Sequence, residues 1–430
     1  MNLAIIGTGH VGLVSGACLA EMGNHVICVD NDLQKLAALR EGHVPIYEPG
    51  LQELVSKNRQ AGRIHFTESV AQGVQDAEVI FITVGTPSNT DGSANLRYVE
   101  AVSREIAQAM PGYRLVVEKS TVPANTGEWI KRTLRLYSKN GADFDVASVP
   151  EFLREGAAIE DFLKPHRIVI GTETQRAEAT LRHLFQPLGA PIIAVDIKTA
   201  ELIKHACNSF LALKISYINA IANICERVGA DVVKVSQAMG LDPRIGPAFL
   251  QAGIGYGGSC LPKDVAAFAS LASQLGYDFG LLHEVAKINS GQALATVSKL
   301  RDLLWILEDK TIGILGLAYK PRTDDVRDAP SLQLISSLLQ ERVRVKVYDP
   351  AAMANARQVL GDGVTYSRDP YDLAEGCHGL VMVTEWPQFK ELDLKRLKGL
   401  MALPVFVDGR NLFDPVQMAA LGFDYRGVGR

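Results

Sequence analysis

The feature that most constrains the fold is an apolar run that leads directly into a glycine-rich turn. Leu3 to Ile6 form a strand pattern, and Gly7, Gly9 and Gly12 follow with the spacing G-x-G-x-x-G before a helical pattern. In such a unit the first glycine allows the tight turn, the second lets a pyrophosphate approach, and the third lets the helix pack on the sheet. The helix N-terminus adds N–H donors for phosphate. The segment predicts a dinucleotide-binding site, which also includes Val11.

An acidic residue follows at the position that selects the dinucleotide. Asp30 comes after the second predicted strand, His25 to Val29. A carboxylate there bonds both ribose hydroxyls and repels a 2′-phosphate, so the sequence favours NAD over NADP. Lys35, also assigned to the cofactor, weakens that exclusion. A purely structural glycine turn is the alternative, and the coincidence of strand, helix and acid argues against it.

The rest of the chain alternates strand and helix patterns at both ends around a helical middle. The segment from Thr199 to about Val228 lacks Gly and Pro and has helical periodicity, which predicts one long helix. More helical sequence continues to about Leu307. The predicted strands are Leu3 to Ile6, His25 to Val29, Val79 to Val84, Leu115 to Val117, Arg167 to Ile170, Ile192 to Val195, Thr311 to Leu315, Arg344 to Val347, Leu380 to Val383 and Val405 to Val407.

This pattern predicts an α/β fold with two Rossmann-like domains. Their parallel sheets are joined by a long central helix and a helical region. The predicted domains are 1–198, which contains the NAD-binding turn, 199–308, which is helical, and 309–430, which repeats the strand and helix alternation. A chain of 430 residues exceeds what one core usually supports.

Composition excludes several other classes of protein. The net charge of −4 gives no electrostatic reason to expect nucleic acid or an anionic membrane as a partner. The start of the chain has no secretory pattern and no apolar run is long enough for a membrane helix, so we expect a cytoplasmic protein. The cysteines and histidines lack paired spacing, which indicates neither a disulfide scaffold nor a metal site.

A second glycine-rich loop ends in a cysteine. Gly255-Tyr256-Gly257-Gly258-Ser259-Cys260 precedes Pro262, which we expect at the first position of a helix. A thiol before a helix, with Lys263 nearby, is favoured as the thiolate, which attacks carbonyl groups. A buried cysteine without chemical function is the alternative, and it is the interpretation we give Cys18, Cys28, Cys207 and Cys225.

At this point the chain resembles the UDP-glucose/GDP-mannose dehydrogenase family over nearly its whole length. The segments that carry the resemblance are Gly7 to Gly12, Val84-Gly85-Thr86-Pro87, Ser120-Thr121-Val122-Pro123, Pro150-Glu151-Phe152-Leu153-Arg154-Glu155, Lys204 with Asn208, the Cys260 loop, and Gly316-Leu317-Ala318-Tyr319-Lys320 continuing to Thr323-Asp324-Asp325-Val326-Arg327. The segment from Ile245 to Tyr256 is more similar to members that act on UDP-glucose than to those that act on GDP-mannose.

The resemblance implies oxidation of a sugar C6 alcohol to the acid with two NAD and no free aldehyde. Cys260 matches the family nucleophile, which traps the aldehyde as a thiohemiacetal that is oxidised to a thioester and hydrolysed. Lys204 and Asn208, four apart on the predicted helix, are assigned to stabilise oxyanions. Asp264, one turn after Cys260, is assigned to water or proton transfer, and Glu151 and Thr121 complete that network.

The family pattern also assigns binding residues. It places the cofactor at Thr86, Thr121, Glu155, Lys263 and Arg327. It places the UDP-sugar at Glu151, Phe152, Leu153, Arg154, Glu155, Lys204, Asn208, Phe249, Leu250, Gly253, Gly257 and Lys320. Each polar residue has a structural alternative: a solvated lysine, a helix-capping aspartate, or a pair of Arg327 with Asp324 or Asp328.

Several alternatives stay open at the level of substrate and assembly. The opening of the C-terminal domain at Ile312 lacks the third glycine and is either a degenerate cofactor site or, as in the family, the holder of the uridine diphosphate. GDP-mannose and UDP-N-acetylmannosamine remain alternative substrates. A two-electron dehydrogenase and a non-catalytic sensor are rival functions. The family forms dimers through the central helix, so we expect a homodimer.

Overall fold

The computed structural model describes residues 1–138 and 141–430. The chain forms two compact units, Met1–Cys207 and Asn208–Arg430, and the division falls inside one 32-residue helix, Ile197–Val228. Within the described residues, no helix is long and apolar enough to cross a membrane.

The first unit is an eight-stranded sheet with helices on both faces. Its strands are β1 (Asn2–Ile6), β2 (His25–Val29), β3 (Ile64–Thr67), β4 (Val79–Ile82), β5 (Arg114–Glu118), β6 (Phe144–Ser148), β7 (Ile168–Gly171) and β8 (Ile192–Val195). Its helices are α1 (His10–Glu21), α2 (Leu33–Glu41), α3 (Leu51–Gln60), α4 (Val70–Gln75), α5 (Arg97–Ala109), α6 (Thr126–Tyr137), α7 (Ala158–Leu163), α8 (Gln175–Phe185) and the start of α9 (Ile197–Val228).

The strand order is β3-β2-β1-β4-β5-β6-β7-β8. The pairs are parallel except at β6 and β7, which run antiparallel through Ser148 and Gly171. The first six strands have the order of a dinucleotide-binding sheet, whose ligand crevice lies where β1 meets β4 and the winding reverses.

The apolar run of β1 is buried because both faces of the sheet are covered. Leu3 and Ile5 pack into the core beneath α1, α3 and α8, whereas Ala4 and Ile6 pack beneath α4, α5 and α6. All four side chains are buried. A central parallel strand therefore reads as continuous apolar sequence, as β1 does.

The second unit holds a six-stranded sheet that is parallel throughout, in the order β11-β10-β9-β12-β13-β14. Its strands are β9 (Thr311–Leu315), β10 (Arg344–Tyr348), β11 (Thr365–Tyr366), β12 (Gly379–Met382), β13 (Val405–Asp408) and β14 (Asp424–Arg426). Its helices, besides the remainder of α9, are α10 (Val232–Leu241), α11 (Leu261–Gln274), α12 (Gly280–Leu304), α13 (Pro330–Gln340), α14 (Met353–Leu360), α15 (Pro370–Ala374), α16 (Leu394–Leu400) and α17 (Pro415–Ala420).

The predicted fold class, an α/β chain with two Rossmann-like sheets, is confirmed. Four strands were not predicted: β3, β6, β11 and β14. Three of them, β3, β11 and β14, lie at sheet edges, and β11 has only two residues. Edge strands bury less and carry more polar residues, so the apolar signal used to find strands is weak there.

Candidate functional site

The glycine-rich turn at the start of the first unit has the geometry that a dinucleotide needs. A Cβ on Gly7 would lie 2.9 Å from the carbonyl oxygen of Thr83, and one on Gly12 would lie 1.9 Å from that of Gly7. Both positions therefore exclude a side chain. A Cβ on Gly9, at the N-cap of α1, would meet nothing within 4 Å. The open face of the turn therefore lies at the helix N-terminus, where phosphate binds best.

Asp30 lies beside this turn with its charge stabilised. Its Oδ2 accepts hydrogen bonds from the N–H and hydroxyl of Thr8 at 2.8 and 2.6 Å and from Lys35 Nζ at 3.0 Å. Burial opposes ionisation, but the hydrogen bonds from Thr8, from the N–H of Asp32 and from Lys35 lower the pKa of Asp30 to about 2. The predicted glycines and acid thus fit a dinucleotide with an unphosphorylated ribose.

Two further residues of the predicted cofactor set lie after the next strands. The hydroxyl of Thr86, which is buried, donates to the carbonyl of Thr121 at 2.8 Å. This bond joins the segment that follows β4 to the segment that follows β5. The sequence placed both residues in the cofactor site without predicting that they touch.

The segment that follows β6 brings Glu151 to the first turns of α9. Lys204 Nζ donates to Glu151 Oε1 at 2.9 Å, and both side chains are about 5% exposed. The N–H of Leu153 donates to Glu151 Oε2 at 2.6 Å. Although burial raises it, the pKa of Glu151 is lowered overall by the charge and hydrogen bond of Lys204, this N–H and the charge of Lys119. The carboxylate is thus held ionised next to a lysine.

Two cations lie near the ring of Phe152. The Arg167 guanidinium is 3.8 Å from the ring centroid and Lys204 Nζ is 5.6 Å from it. The next polar residue, Arg154, is exposed and bonds Asp161 on α7. Leu153 and Glu155 are partly exposed. Of the predicted substrate residues, Glu151, Phe152 and Lys204 therefore form one cluster, and Arg154 is held outside it by Asp161.

Two residues of α9 that the sequence analysis missed fix this helix within the first unit. Glu201 accepts hydrogen bonds from the N–H groups of Asn125 and Gly127, both at 2.7 Å. His205 Nε2 lies 2.8 Å from the carbonyl of Val122. Burial raises the pKa of Glu201 to about 7. On the sequence these residues are polar positions of an ordinary helix, so no local signal marks them.

The second unit brings Asn208, on α9, next to Asp264. Asn208 Nδ2 donates to Asp264 Oδ2 at 2.6 Å, and Lys263 Nζ lies 2.7 Å from Asp264 Oδ1. Asp264 is fully buried and Asn208 is nearly so. Lys263, predicted at the cofactor, thus bonds the neighbouring carboxylate.

Cys260 is the N-cap residue of α11 and is partly exposed. The helix begins at Leu261, so Pro262 is its second residue and not its first as predicted. Pro262 still falls in the first turn, where its missing N–H costs nothing. The carbonyl of Cys260 accepts from the N–H of Asp264 at 2.9 Å, which places the thiol one turn from the Asn208–Asp264 pair.

The loop before Cys260 is packed so closely that glycine is required. A Cβ on Gly253 would lie 2.8 Å from the carbonyl oxygen of Gly409, and one on Gly257 would lie 2.2 Å from that of Asp328. Leu250 is buried and Phe249 has a left-handed backbone with φ 64°. These predicted substrate residues line a rigid loop, although Gly253 and Gly257 have backbone rather than open space beside them.

Residues at the ends of the second sheet surround this loop. Arg410, which the sequence analysis missed, donates to the carbonyls of Val383 and Gly255 at 2.7 and 3.0 Å. Lys320 Nζ lies 5.4 Å from the ring centroid of Tyr319. Arg327 is exposed and bonds Asp325, whose Oδ2 is 2.7 Å from its Nη2. Asp325 was not among the partners, Asp324 and Asp328, that the sequence suggested for Arg327.

In the second sheet, Asp349 stands at the position equivalent to Asp30, but its carboxylate is bonded to groups of the protein itself. Asp349 accepts from the N–H groups of Leu317, Ala318, Ala351 and Ala352 and from the Trp386 indole, and it is 1% exposed. A carboxylate used in this way offers nothing to a ribose. This argues against a second NAD site.

Comparisons with known proteins identify one family along most of the chain. Models of the UDP-glucose/GDP-mannose dehydrogenase family match in three parts: the NAD binding domain at residues 1–189, the central domain at 198–291 and the UDP binding domain at 313–415.

Individual relatives cover the full length. The chain is 47% identical to UDP-glucose 6-dehydrogenase TuaD of Bacillus subtilis, with 100% of this chain and 93% of the relative covered. It is 44% identical to the UDP-glucose 6-dehydrogenase of Pseudomonas aeruginosa, with 100% and 98% covered. A solved UDP-glucose dehydrogenase from Pyrobaculum islandicum superposes with a TM-score of 0.94 at 41% identity, with 99% and 97% covered.

Proposed function

Because the chain belongs to the UDP-glucose/GDP-mannose dehydrogenase family, we propose that it oxidises the C6 alcohol of UDP-glucose to UDP-glucuronate with two NAD per sugar. The observation that carries the proposal is the position of Cys260 at the start of α11, one turn from the buried Asn208–Asp264 pair. A thiolate is favoured at a helix N-terminus and is the nucleophile that retains an aldehyde.

The chemistry needs a nucleophile because two hydrides leave the same carbon. Oxidation of the alcohol gives an aldehyde, and Cys260 Sγ adds to it to form a thiohemiacetal. Loss of the second hydride gives a thioester, and water breaks the carbon–sulfur bond to release the acid and the thiol. NAD, when bound at the glycine-rich turn of Gly7 to Gly12, supplies the hydride acceptor for both oxidations.

Two groups of side chains are assigned to the oxygen and its protons. Asn208 donates to the oxyanion at C6, and Asp264 holds its amide in place at 2.6 Å. Lys204 donates to the same oxygen, and the Glu151 carboxylate, paired with Lys204 at 2.9 Å, takes up the proton released from the alcohol and orients water. Lys204 and Asn208 are four residues apart on α9, a spacing that favours action at one oxygen. Thr121 is assigned to the same water.

The binding residues are assigned on the same basis. The cofactor set comprises Gly7, Gly9, Val11, Gly12, Asp30, Lys35, Thr86, Thr121, Glu155, Lys263 and Arg327. The UDP-sugar set comprises Glu151 to Glu155, Lys204, Asn208, Phe249, Leu250, Gly253, Gly257 and Lys320. The matches of three family models support the division into 1–198, 199–308 and 309–430. The reaction is placed in the cytoplasm, where NAD and nucleotide sugars are available.

Product counting with the purified protein tests the function. With UDP-glucose and NAD we expect two NADH for each UDP-glucuronate formed, and with GDP-mannose or UDP-N-acetylmannosamine a kcat/KM lower by at least about 100-fold. One NADH per product would instead indicate a two-electron dehydrogenase. Binding of NAD without turnover would indicate a sensor.

The assembly proposed is a homodimer formed through α9. Phe210, Tyr217 and Ile224 recur every seven residues on this helix and are at least half exposed, with Val228 one turn further. A stripe of this kind on a long helix is the pattern of a helix–helix interface. Phe210→Glu should convert the dimer to a monomer in light scattering. Val416→Glu, an exposed position on α17, is the control and should leave the mass unchanged.

A further inference from the structure

Lys119 is a buried lysine that the mechanism above does not use. It follows β5 and precedes Ser120 and Thr121, and it is 6% exposed. Its Nζ donates to the carbonyl of Val149 at 3.4 Å, a long hydrogen bond, and lies 5.9 Å from the ring centroid of Phe162. Lysine is almost never buried to this degree without a charged partner. The surroundings of its ammonium group therefore need an explanation.

The charged partner is the carboxylate of Glu151. Val149, which Lys119 contacts, is two residues before Glu151, and both side chains line one cavity of about 50 Å³. The charge of Glu151 stabilises the Lys119 ammonium, and the charge of Lys119 in turn stabilises the Glu151 carboxylate. The Glu151 carboxylate is thus influenced by two lysines: Lys204, whose Nζ lies 2.9 Å from Oε1, and Lys119, which lines the same cavity.

The other charged groups around Lys119 do not replace this role. Asp161 of α7 lines the same cavity but bonds Arg154, and Arg167, which immediately precedes β7, stacks on Phe152. Glu118, the last residue of β5 and the neighbour of Lys119 in the chain, is fully buried, and burial beside Glu201 raises its pKa well above the ordinary value. Glu118 is therefore a weaker source of compensating charge than Glu151, whose pKa is lowered.

The titration of Lys119 is consistent with this arrangement. Burial lowers the pKa of Lys119 to about 8, against the opposing influence of Glu151 and Glu118. Below that pH the cluster of Lys119, Glu151 and Lys204 has two positive charges and one negative charge. A carboxylate in such surroundings releases its proton easily.

We propose that Lys119 is a positioning residue that acts through Glu151, keeping this carboxylate ionised and bonded to Lys204 so that it can accept the proton released from the sugar alcohol. The inference rests on the proposed function and deepens it. Loss of the Lys119 charge makes Glu151 bind its proton more tightly. The protonated form no longer accepts a proton, so activity fails at a higher pH.

The test is the pH dependence of kcat for UDP-glucose oxidation between about pH 3 and 9, a range that includes the lowered pKa of Glu151. Lys119→Met removes the charge while keeping most of the apolar stem. We expect its acidic limb to move up by about 1 pH unit, with KM for NAD within about twofold of that of the parent protein. Lys119→Arg keeps the charge, so its acidic limb should lie at the same pH as that of the parent protein. Lys119→Gln keeps a donor for Val149 and serves where Lys119→Met does not fold.

Lys131→Met is the matched control. Lys131 is also buried and bonded to carboxylates, Glu128 at 3.3 Å and Glu173, but it lies on α6 away from Glu151. The Lys131→Met substitution should leave the acidic limb of the kcat profile unchanged. The inference is wrong if a folded Lys119→Met or Lys119→Gln variant has the same acidic limb of the kcat profile as the parent protein. The proposed function is judged separately, from the parent protein's yield of two NADH per acid.

Discussion

Asn208 Nδ2 lies 2.6 Å from Asp264 Oδ2, and both side chains are buried although 56 residues separate them in sequence. The carboxylate thereby fixes the orientation of the amide: Nδ2 donates one hydrogen to Asp264 and keeps its second hydrogen for another acceptor. Lys263 bonds the second oxygen of the same carboxylate. Asp264 thus has a positioning role that is separate from any role in proton transfer.

Asp264→Asn should remove both the positioning of Asn208 and any proton transfer by Asp264, and the variant should still fold. We expect kcat to fall by at least about 100-fold and the free energy of unfolding to fall by about 1–3 kcal/mol, since a buried hydrogen-bond partner is lost. Steady-state kinetics and urea unfolding measure the two effects. Asp242→Asn, at a partly exposed residue that pairs with the exposed Arg244 after α10, is the control. A variant that keeps more than a tenth of the parent kcat contradicts the assignment.

Cys260 should react with iodoacetamide before the buried cysteines do. Burial raises the pKa of Cys18 and Cys28 to about 12 and that of Cys377 to about 11, so these three remain protonated thiols at pH 8. Only a thiolate is alkylated rapidly. Peptide mapping by mass spectrometry after brief labelling should find Cys260 modified, and UDP-glucose should slow the reaction. Faster labelling at Cys18 or Cys377 would contradict this prediction.

Cys260→Ser should abolish formation of the acid without affecting the cofactor. The thiol is not among the groups assigned to the nucleotide phosphates, so we expect the dissociation constant of NAD to stay within about twofold of the parent value while turnover falls by more than about 100-fold. Fluorescence titration and product analysis give the two quantities. A matching loss of NAD affinity would show that Cys260 belongs to the cofactor site instead.

Asp30→Asn should change the choice of dinucleotide. Removal of the carboxylate ends the repulsion of a 2′-phosphate, while Lys35, 3.0 Å from Oδ2, remains to attract one. We expect the ratio of kcat/KM for NAD to that for NADP to fall by at least about 10-fold. The double variant Asp30→Asn with Lys35→Ala should lose the increase in kcat/KM for NADP. Unchanged selectivity in the single variant would refute the role of Asp30.

The same substitution should reduce stability in a pH-dependent manner. The pKa of Asp30 is lowered to about 2 from 3.8, so the folded state favours the charged carboxylate. Its contribution is therefore complete above about pH 4 and is lost as the pH falls toward 2. Urea unfolding should show a deficit for Asp30→Asn at pH 7 that shrinks at pH 3. A deficit that grows on acidification would have the wrong sign.

Glu48 connects the helix that follows the glycine-rich turn to the chain just beyond Glu151. It is buried and accepts from the N–H groups of Gly156 and Ala158 at 2.6 and 2.8 Å, and His10 Nε2 lies 3.0 Å from its Oε2. Glu48→Gln places an amide where a donor points, so we expect the free energy of unfolding to fall by about 1–3 kcal/mol and KM for NAD to rise. Glu53→Gln, exposed on α3, is the control and should match the parent protein in both measurements.

The strands show where sequence reasoning succeeds. β1, β2 and β9 are short apolar runs followed by a glycine turn or an acid, and each was predicted within about one residue. β6 was missed although it is central, because Asp145 and Ser148 interrupt its apolar pattern. Asp145 is buried there because Tyr113 and Arg176 bond its carboxylate. Such a strand is recognisable only when its partners are known.

The sequence by itself determined the parts of this protein that depend on neighbours in the chain. The turn of Gly7, Gly9 and Gly12, the acid after β2 and the cysteine before α11 all lie within short windows, since backbone geometry and helix ends are local properties. The tertiary structure alone decided which distant groups meet. Sheet order brought Glu151 to Lys204, packing of α11 brought Asp264 to Asn208, and burial gave Lys119 and Asp349 surroundings that no sequence pattern records. Partners of this kind are chosen by adjacency in space, and a polar residue viewed alone carries no mark of the group that will bond it.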